Sequence, residues 1–313
     1  MSDLMPSAEA IECPVGLATA PVLESYPAHQ AELPGGLLVR RALPRAGRRM
    51  VGPWCFLDHY GPLAFDAGKP MDIGPHPHIG LQTVTWLIEG EALHKDSLGS
   101  ERLIRPGQLN LMTSGAGISH SEETPARHSG RLHGLQFWVA LPEARRHGPA
   151  AFDHYAELPV VASGPCRAVV LMGELAGVHS PAKAYSAMVG ADIAATGDGV
   201  VRLPLDQRFE HAIVLVDGRA ALGDRPLEPF TLYYLGTGRP GIALAVSVGS
   251  RLALLGGEPF GERIVMWWNF VARTPEEIAQ ARRDWEQGDR FGVVSAYAGP
   301  RIPAPPLTPR TGR

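Results

Sequence analysis

The chain has 313 residues, of which 45% are hydrophobic and 19% charged, with a formal net charge of −3. That length holds one or two domains with sizeable cores. The near-balanced charge gives no global electrostatic case for a nucleic acid or an acidic membrane, and no apolar run approaches the roughly 18 residues of a membrane span.

Glycine (36) and proline (29) are abundant, which argues for short strands joined by many turns rather than for a helical bundle. Met1 to Glu12 lacks a basic stretch followed by an apolar one, so no secretory signal is expected. Residues 1–35 carry Pro6, Pro14, Pro21, Pro27 and Pro34 and read as an arm laid over the fold. Cys13, Cys55 and Cys166 are odd in number and far apart. They suit neither a disulfide framework nor a zinc site, and a reducing cytoplasm is expected.

Gly36 to Met50 holds Arg40, Arg41, Arg45, Arg48 and Arg49. Without interleaved aromatics it reads as a strand and loop with solvated or paired arginines, not as a nucleic-acid patch. From Gly52 to Leu141 short strands follow one another. Thr83 to Ile88 is β-branched and aromatic and stops at Glu89-Gly90; Leu109 to Met112 follows a Pro106-Gly107 turn; Leu132 to Leu141 is closed by Pro142. The pattern restarts at about Pro165. Strands are expected over Arg167–Met172, Tyr185–Ile193, Ala212–Val216, Phe230–Leu235, Ile242–Val248 and Arg251–Leu255. One helix is signalled near 275–287. Thr274 is its N-cap, Pro275 its first residue, Glu277 the partner in a capping box, and Gly288 its end. The aromatic block Trp267-Trp268-Asn269-Phe270 reads as the dock for that helix, and residues 301–313 as a proline-rich tail.

Two segments repeat. Val84 to Gly90 (VTWLIEG) aligns without a gap on Ala212 to Gly218 (AIVLVDG). In that register His76 falls opposite Pro204, His78 opposite Asp206, and Gln82 opposite Glu210. The chain thus reads as two copies of one β-domain, the first over 36–150 and the second over 151–300, with the histidines kept only in the first.

Those histidines carry the chemistry. In a strand, residues i and i+2 share a face. His76-Pro77-His78 therefore presents two imidazoles together, and His120-Ser121-Glu122 presents an imidazole and a carboxylate. Neighbouring strands could converge these into a site for a divalent transition metal. Nitrogen and oxygen ligands without thiolate suit Fe, then Mn, Ni, Cu or Co, better than structural Zn. A capped or surface pair of histidines would show the same His-x-His spacing.

These motifs resemble the cupins, and more narrowly the pirin family of bicupins. The resemblance rests on Gly52–Pro62 (GPWCFLDHYGP), Pro75–Gly90 (PHPHIGLQTVTWLIEG), Asp96–Ser100 (DSLGS), Arg105–Glu123 (RPGQLNLMTSGAGISHSEE) and Leu132–Pro142 (LHGLQFWVALP), and it covers about residues 35–290. It implies an all-β chain of two cupin (double-stranded β-helix, or jelly-roll) barrels. The metal would sit on His76, His78, His120 and Glu122 of the first, and the second would be metal-free. Cupins in general, and many pirins, place an acid where this chain has Gln82, which is therefore expected beside the ligands or in the pocket wall.

Bacterial pirins resemble quercetin 2,3-dioxygenases. In that reaction a deprotonated flavonol reacts with O2 and its central ring opens with loss of carbon monoxide. The resemblance thus implies iron, a flavonol or similar aromatic enolate, O2, and Glu122 as both ligand and general base. As the alternative, it admits an iron-dependent regulator acting through partner proteins, with the arginine-rich Arg40–Arg49 stretch as the surface to test. Other candidates follow from strand parity. Gln136 and Trp138 share a face that can approach the first cavity, His94 and Asp96 flank it or brace a loop, and His59, His133 and His211 read as structural.

Overall fold

The computed structural model describes residues 10–14, 20–34, 36–66, 68 and 70–307. The expected arm lies partly, and the end of the tail wholly, outside them.

Eight strands build the first domain. They are β1 (Trp54–Ala64), β2 (Asp72–His78), β3 (Leu81–Gly90), β4 (Ala92–Asp96), β5 (Glu101–Ile104), β6 (Leu109–Thr113), β7 (Ile118–Glu123) and β8 (Arg131–Ala140). The second domain repeats them as β9 (Met188–Ala195), β10 (Gly199–Pro204), β11 (Glu210–Asp217), β12 (Ala220–Leu222), β13 (Arg225–Pro226), β14 (Thr231–Gly236), β15 (Gly241–Val246) and β16 (Arg251–Gly257). The larger sheets contain the orders β6-β3-β8-β1 and β14-β11-β16-β9, and the smaller sheets are β2-β7-β4-β5 and β10-β15-β12-β13. Each strand of one domain thus has its counterpart eight places on. The duplication read from a single pair of strands extends to the whole topology, and both domains are cupin-type.

Flanking segments tie the halves together. Leu38–Leu43 and His29–Glu32 extend the first large sheet beyond β1, and Ala151–Tyr155 joins its other edge at β6. The first sheet therefore runs past residue 150. Glu24–Pro27, from the arm, pairs instead with β14 of the second domain. The large sheets meet in one core, where Val84, Trp86 and Phe137 pack with Met188, Val214 and Leu255. Burying such side chains is worth about 1.5–3 kcal/mol each. The Trp54 indole N–H points across this seam at the carbonyls of Val189 and Gly256, both at 3.1 Å. Gly190 makes room for it, since a Cβ there would lie 2.5 Å from the ring.

The helix α1 (Pro275–Gln287) runs as expected, with the Thr274 hydroxyl accepting from the Glu277 N–H. The capping box is half realised. The Glu277 carboxylate accepts from the N–H of Arg273, one residue early, and from the Arg146 guanidinium. Ile278, Ala281 and Trp285 bury against Trp267 and Phe270, so the aromatic block does dock the helix.

The arginine-rich stretch is engaged within the molecule. Arg41 makes a bidentate pair with the fully buried Asp58, both bonds 2.8 Å. Arg40 lies over the Phe230 ring at 4.2 Å, and Arg48 over the Tyr234 ring at 3.4 Å while also bonding Glu24. Among the described residues no helix is long and apolar enough to cross a membrane.

Candidate metal centre

The site lies between β2 and β7 of the small sheet. β2 is an edge strand, and this is why it can hold Pro75 and Pro77. Ring-closed residues have no N–H for a ladder, and here the Pro75 carbonyl turns outward to accept from Ile302 of the C-terminal segment at 2.8 Å. The alternating His76 and His78 are left to face inward. On β7, His120 pairs with His76. The register then shifts, so that Glu122 pairs with Ile73, and Gly74 and Pro75 bulge on β2.

His76, His78 and His120 offer ring nitrogens that all lie within 4.8 Å of one another. Among the described residues this is the one such group of three or more His, Cys, Asp or Glu side chains. The rings are at most 1% exposed. Burial drives the His76 pKa down to about 3, and those of His78 and His120 well below the ordinary value. All three are therefore neutral at pH 7, the form in which imidazole ligates.

Their hydrogen bonds select which nitrogen is free, as inferred from the partners. His76 Nδ1 donates to the Gly74 carbonyl at 2.9 Å, and His78 Nδ1 to the Asn269 carbonyl at 3.1 Å. His120 Nδ1 lies 3.3 Å from His94 Nδ1, and His94 Nε2 lies 3.0 Å from Asp96 Oδ2. Burial opposes ionisation of Asp96, but bonds from His94 and Ser100 outweigh it and hold the carboxyl below its usual range. The carboxylate accepts from His94 Nε2–H, His94 Nδ1 then accepts from His120 Nδ1, and each of the three histidines is left with a bare Nε2. His78 and His120 Nε2 are 3.1 Å apart, and His76 Nε2 is buried with no partner. Facing lone pairs and an orphaned nitrogen are an arrangement that a bound cation stabilises. The donor set fits a transition metal.

Glu122 is not within the three-residue group. It lies on the same face of β7 as His120, 4% exposed, with Oε2 unpartnered, and burial raises its pKa. The Tyr60 phenol feels its charge and is likewise buried without a partner. Nothing in the sequence singled out Tyr60. Trp138 does reach the site, with its ring 5.2 Å from that of His78, and stacks on Phe56 at 4.0 Å. Gln136 accepts from the Thr85 hydroxyl, and its Nε2, like Trp138 Nε1, is a buried donor without a partner. His94 stacks on Phe152 at 4.2 Å, and Asp96 also braces the loop by accepting from Leu98 and Ser100.

Gln82 lies elsewhere. It shares its face of β3 with Val84 and Trp86, which enter the interdomain core. Its Nε2 donates to the Thr113 hydroxyl at 2.9 Å and to the Lys183 carbonyl of the second domain at 3.0 Å. A carboxylate could not donate to these two acceptors, which explains an amide here. His59 and His133 pair with each other, Nε2 to Nε2 at 2.7 Å, away from the three imidazoles. Asn269 is the contribution no motif announced. It follows Trp268, which sits at φ +51, and only the hairpin turn there brings its carbonyl to His78.

Comparison with known proteins agrees with this architecture. The Pirin family model matches residues 36–139, and the model of the pirin C-terminal cupin domain matches residues 190–292. A Pseudomonas aeruginosa protein provisionally named quercetin 2,3-dioxygenase is 47% identical over 289 residues, 91% of each chain. A pirin-like protein of Caulobacter vibrioides is 39% identical, over 87% of this chain and 95% of its own. A crystal structure of quercetin 2,3-dioxygenase from Acinetobacter baumannii superposes with a TM-score of 0.89 at 44% identity, covering 93% of this chain and 97% of that one. Two cupin-type domains, a three-histidine cluster in the first, and these matches lead to one conclusion: the chain belongs to the pirin family.

Proposed function

We propose that this chain is an iron-dependent dioxygenase of the quercetin 2,3-dioxygenase type, acting on flavonols or similar aromatic enolates. The observation that carries the reading is the convergence of three neutral imidazoles, with bare Nε2 atoms, beside a buried carboxylate that has an unpartnered oxygen. His76, His78, His120 and Glu122 would hold the metal. Mn, Ni, Cu, Co or Zn could occupy the same ligands. Iron there supplies a redox-active centre and positive charge next to the substrate oxygens.

The remaining roles belong to the chain. Glu122 takes the proton of the substrate hydroxyl, and burial raises its basicity toward that task. Trp138 and Phe56 offer an aromatic wall for flat rings, while Trp138 Nε1 and Gln136 Nε2 are free to donate to substrate oxygens. His94 and Asp96 hold His120 in the ligating tautomer. Apolar surroundings exclude water from the enolate. The names of the Pseudomonas and Acinetobacter relatives support the reaction class. A cytoplasmic setting accords with three buried free thiols.

The test is metal analysis of the purified protein, followed by oxygen uptake with a panel of flavonols. About one iron per chain and flavonol-dependent oxygen consumption with release of carbon monoxide are expected. Flavonol that binds anaerobically but is not consumed once oxygen is admitted overturns the reading.

A further inference from the structure

The second domain contains a cavity of about 600 Å3, within the size range of small-molecule sites. It opens beside Pro204 and Asp206, the positions that correspond to His76 and His78. Leu175, Met188, Val189, Leu205 and Phe209 give it an apolar wall. One buried polar side chain reaches it. His211 lies on the same face of β11 as Ile213 and Leu215, which point into the second domain's own core.

His211 is 1% exposed, and neither ring nitrogen makes a well-formed hydrogen bond, the weak pull of the Phe209 backbone apart. Its seat is built. Gly256 lies directly across the ladder, and a Cβ there would stand 2.6 Å from the imidazole Cδ2. The ladder with β14 carries its extra residue, Leu235, on β14, so β11 stays regular and His211 keeps the face of Ile213 and Leu215. Native structures rarely leave such a group unsatisfied without a reason.

The chemistry of the cavity narrows the ligand. Burial pulls the His211 pKa down to about 4, against the opposing influence of the Asp206 carboxylate and the Phe209 backbone. At neutral pH the ring offers one donor and one acceptor and carries no charge. Arg208, at the mouth, is already held by Asp206 at 2.6 Å, and Glu258 is 3.8 Å away. His179 sits 3.5 Å from Glu174. Arg208, the cation at the mouth, is already paired with a carboxylate, which weakens its pull on an anionic ligand.

We propose that this cavity is a second ligand site, taking a small neutral aromatic molecule with one hydroxyl, its ring against Phe209 and Met188 and its hydroxyl on the His211 imidazole. The site is in the other domain from the metal centre and goes beyond the dioxygenase reading. A phenolic hydroxyl can either donate or accept, and so meets whichever ring nitrogen the neutral imidazole turns to the cavity.

The probe is 2-naphthol, titrated into the full-length, metal-loaded chain by calorimetry, with naphthalene and 2-naphthoate as comparisons. The same titration is run on His76→Ala, which disables the metal centre, so that a phenol bound there is counted apart. Saturable binding of 2-naphthol should survive His76→Ala. His211→Phe should weaken it at least tenfold, as should Ser186→Trp, which adds bulk at the cavity wall. Naphthalene should bind at least tenfold more weakly, and naphthoate more weakly still. Naphthol binding that is lost with His76→Ala, unchanged in His211→Phe and Ser186→Trp, or matched by naphthalene or naphthoate overturns the proposal.

Discussion

The two domains share a topology strand for strand, yet they use the same positions in opposite ways. In the first, β2 and β7 pair His76 with His120. In the second, the corresponding strands β10 and β15 pair Pro204 with Gly241. By the same pairing Glu122 corresponds to Ala243, which faces Arg202 with no shift of register. Three of the four corresponding positions, Pro204, Gly241 and Ala243, have neither an imidazole nor a carboxylate, and the fourth, Asp206, is turned to Arg208 at the surface. The face toward the domain seam is used alike in both. Gln82 donates to Lys183 across it, and its counterpart Glu210 accepts from Gly52 at 2.7 Å and from Tyr234 at 2.9 Å. The fold thus depends on the apolar faces of the sheets, and the ligands are dispensable to it. A copy can lack the histidine cluster and still support its twin.

The sharpest way to break this asymmetry is to remove a ligand. His120→Ala should lose essentially all bound metal and all oxygen consumption, while Asp206→Ala leaves about one metal per chain. Equal losses in both variants, measured by elemental analysis, would contradict the assignment of the site to one domain. Glu122→Gln separates ligation from proton transfer. Turnover should fall by about 10²–10⁴-fold, with the fold unchanged by circular dichroism. Near-normal turnover would remove Glu122 from the chemistry.

His94→Ala should weaken metal binding by about 10–100-fold through loss of the bond that orients His120. Metal competition with a chelator measures this, and an unchanged affinity would reduce the pair to a loop brace. Gln82→Glu sets a carboxylate against two acceptors at the domain seam, and a loss of about 1–3 kcal/mol in denaturant stability is expected. Metal content should hold, and a loss of metal would show that Gln82 serves the centre after all.

The smallest effect concerns acid stability. Burial lowers the His59 pKa from 6.5 to about 3, and that of its neighbour His133 in the same direction. A histidine whose folded pKa is depressed contributes fully above its unfolded pKa. As pH falls below about 6.5 the unfolded chain takes up a proton that the folded chain refuses, and stability drops until about pH 3. His59→Gln should flatten that acid limb by up to about 1.4 kcal/mol per pH unit. Parallel profiles for the variant and the parent would rule out the pair as a source of acid lability.

Parity explains which parts of the site were legible. His76, His78, His120 and Trp138 follow from the two-residue repeat of a strand, because their backbones are regular and one face is enclosed. The same rule, applied to β3, puts Gln82 on the face of Val84 and Trp86, but which face was the cavity could not be read from β3 alone. Parity allows His94 two roles, and the structure gives it both: the bond to His120 and the brace through Asp96. Tyr60 and Asn269 left no signal, since each reaches the site from a distant stretch of chain through burial or a backbone carbonyl.

By itself the sequence determined the strand-and-turn architecture, the duplication, the helix with its cap, and the residues able to ligate. These depend on local periodicity, turn chemistry and side-chain type, all written in neighbouring residues. Only the tertiary structure decided which nitrogen each histidine leaves free, that Gln82 ties the domains together, and that His211 lines an open cavity without a well-formed hydrogen bond. Those outcomes depend on contacts between residues far apart in the chain, such as His78 with Asn269 or Gln82 with Lys183. No local pattern records such contacts, because they exist only once the two sheets of each domain, and then the two domains, have packed.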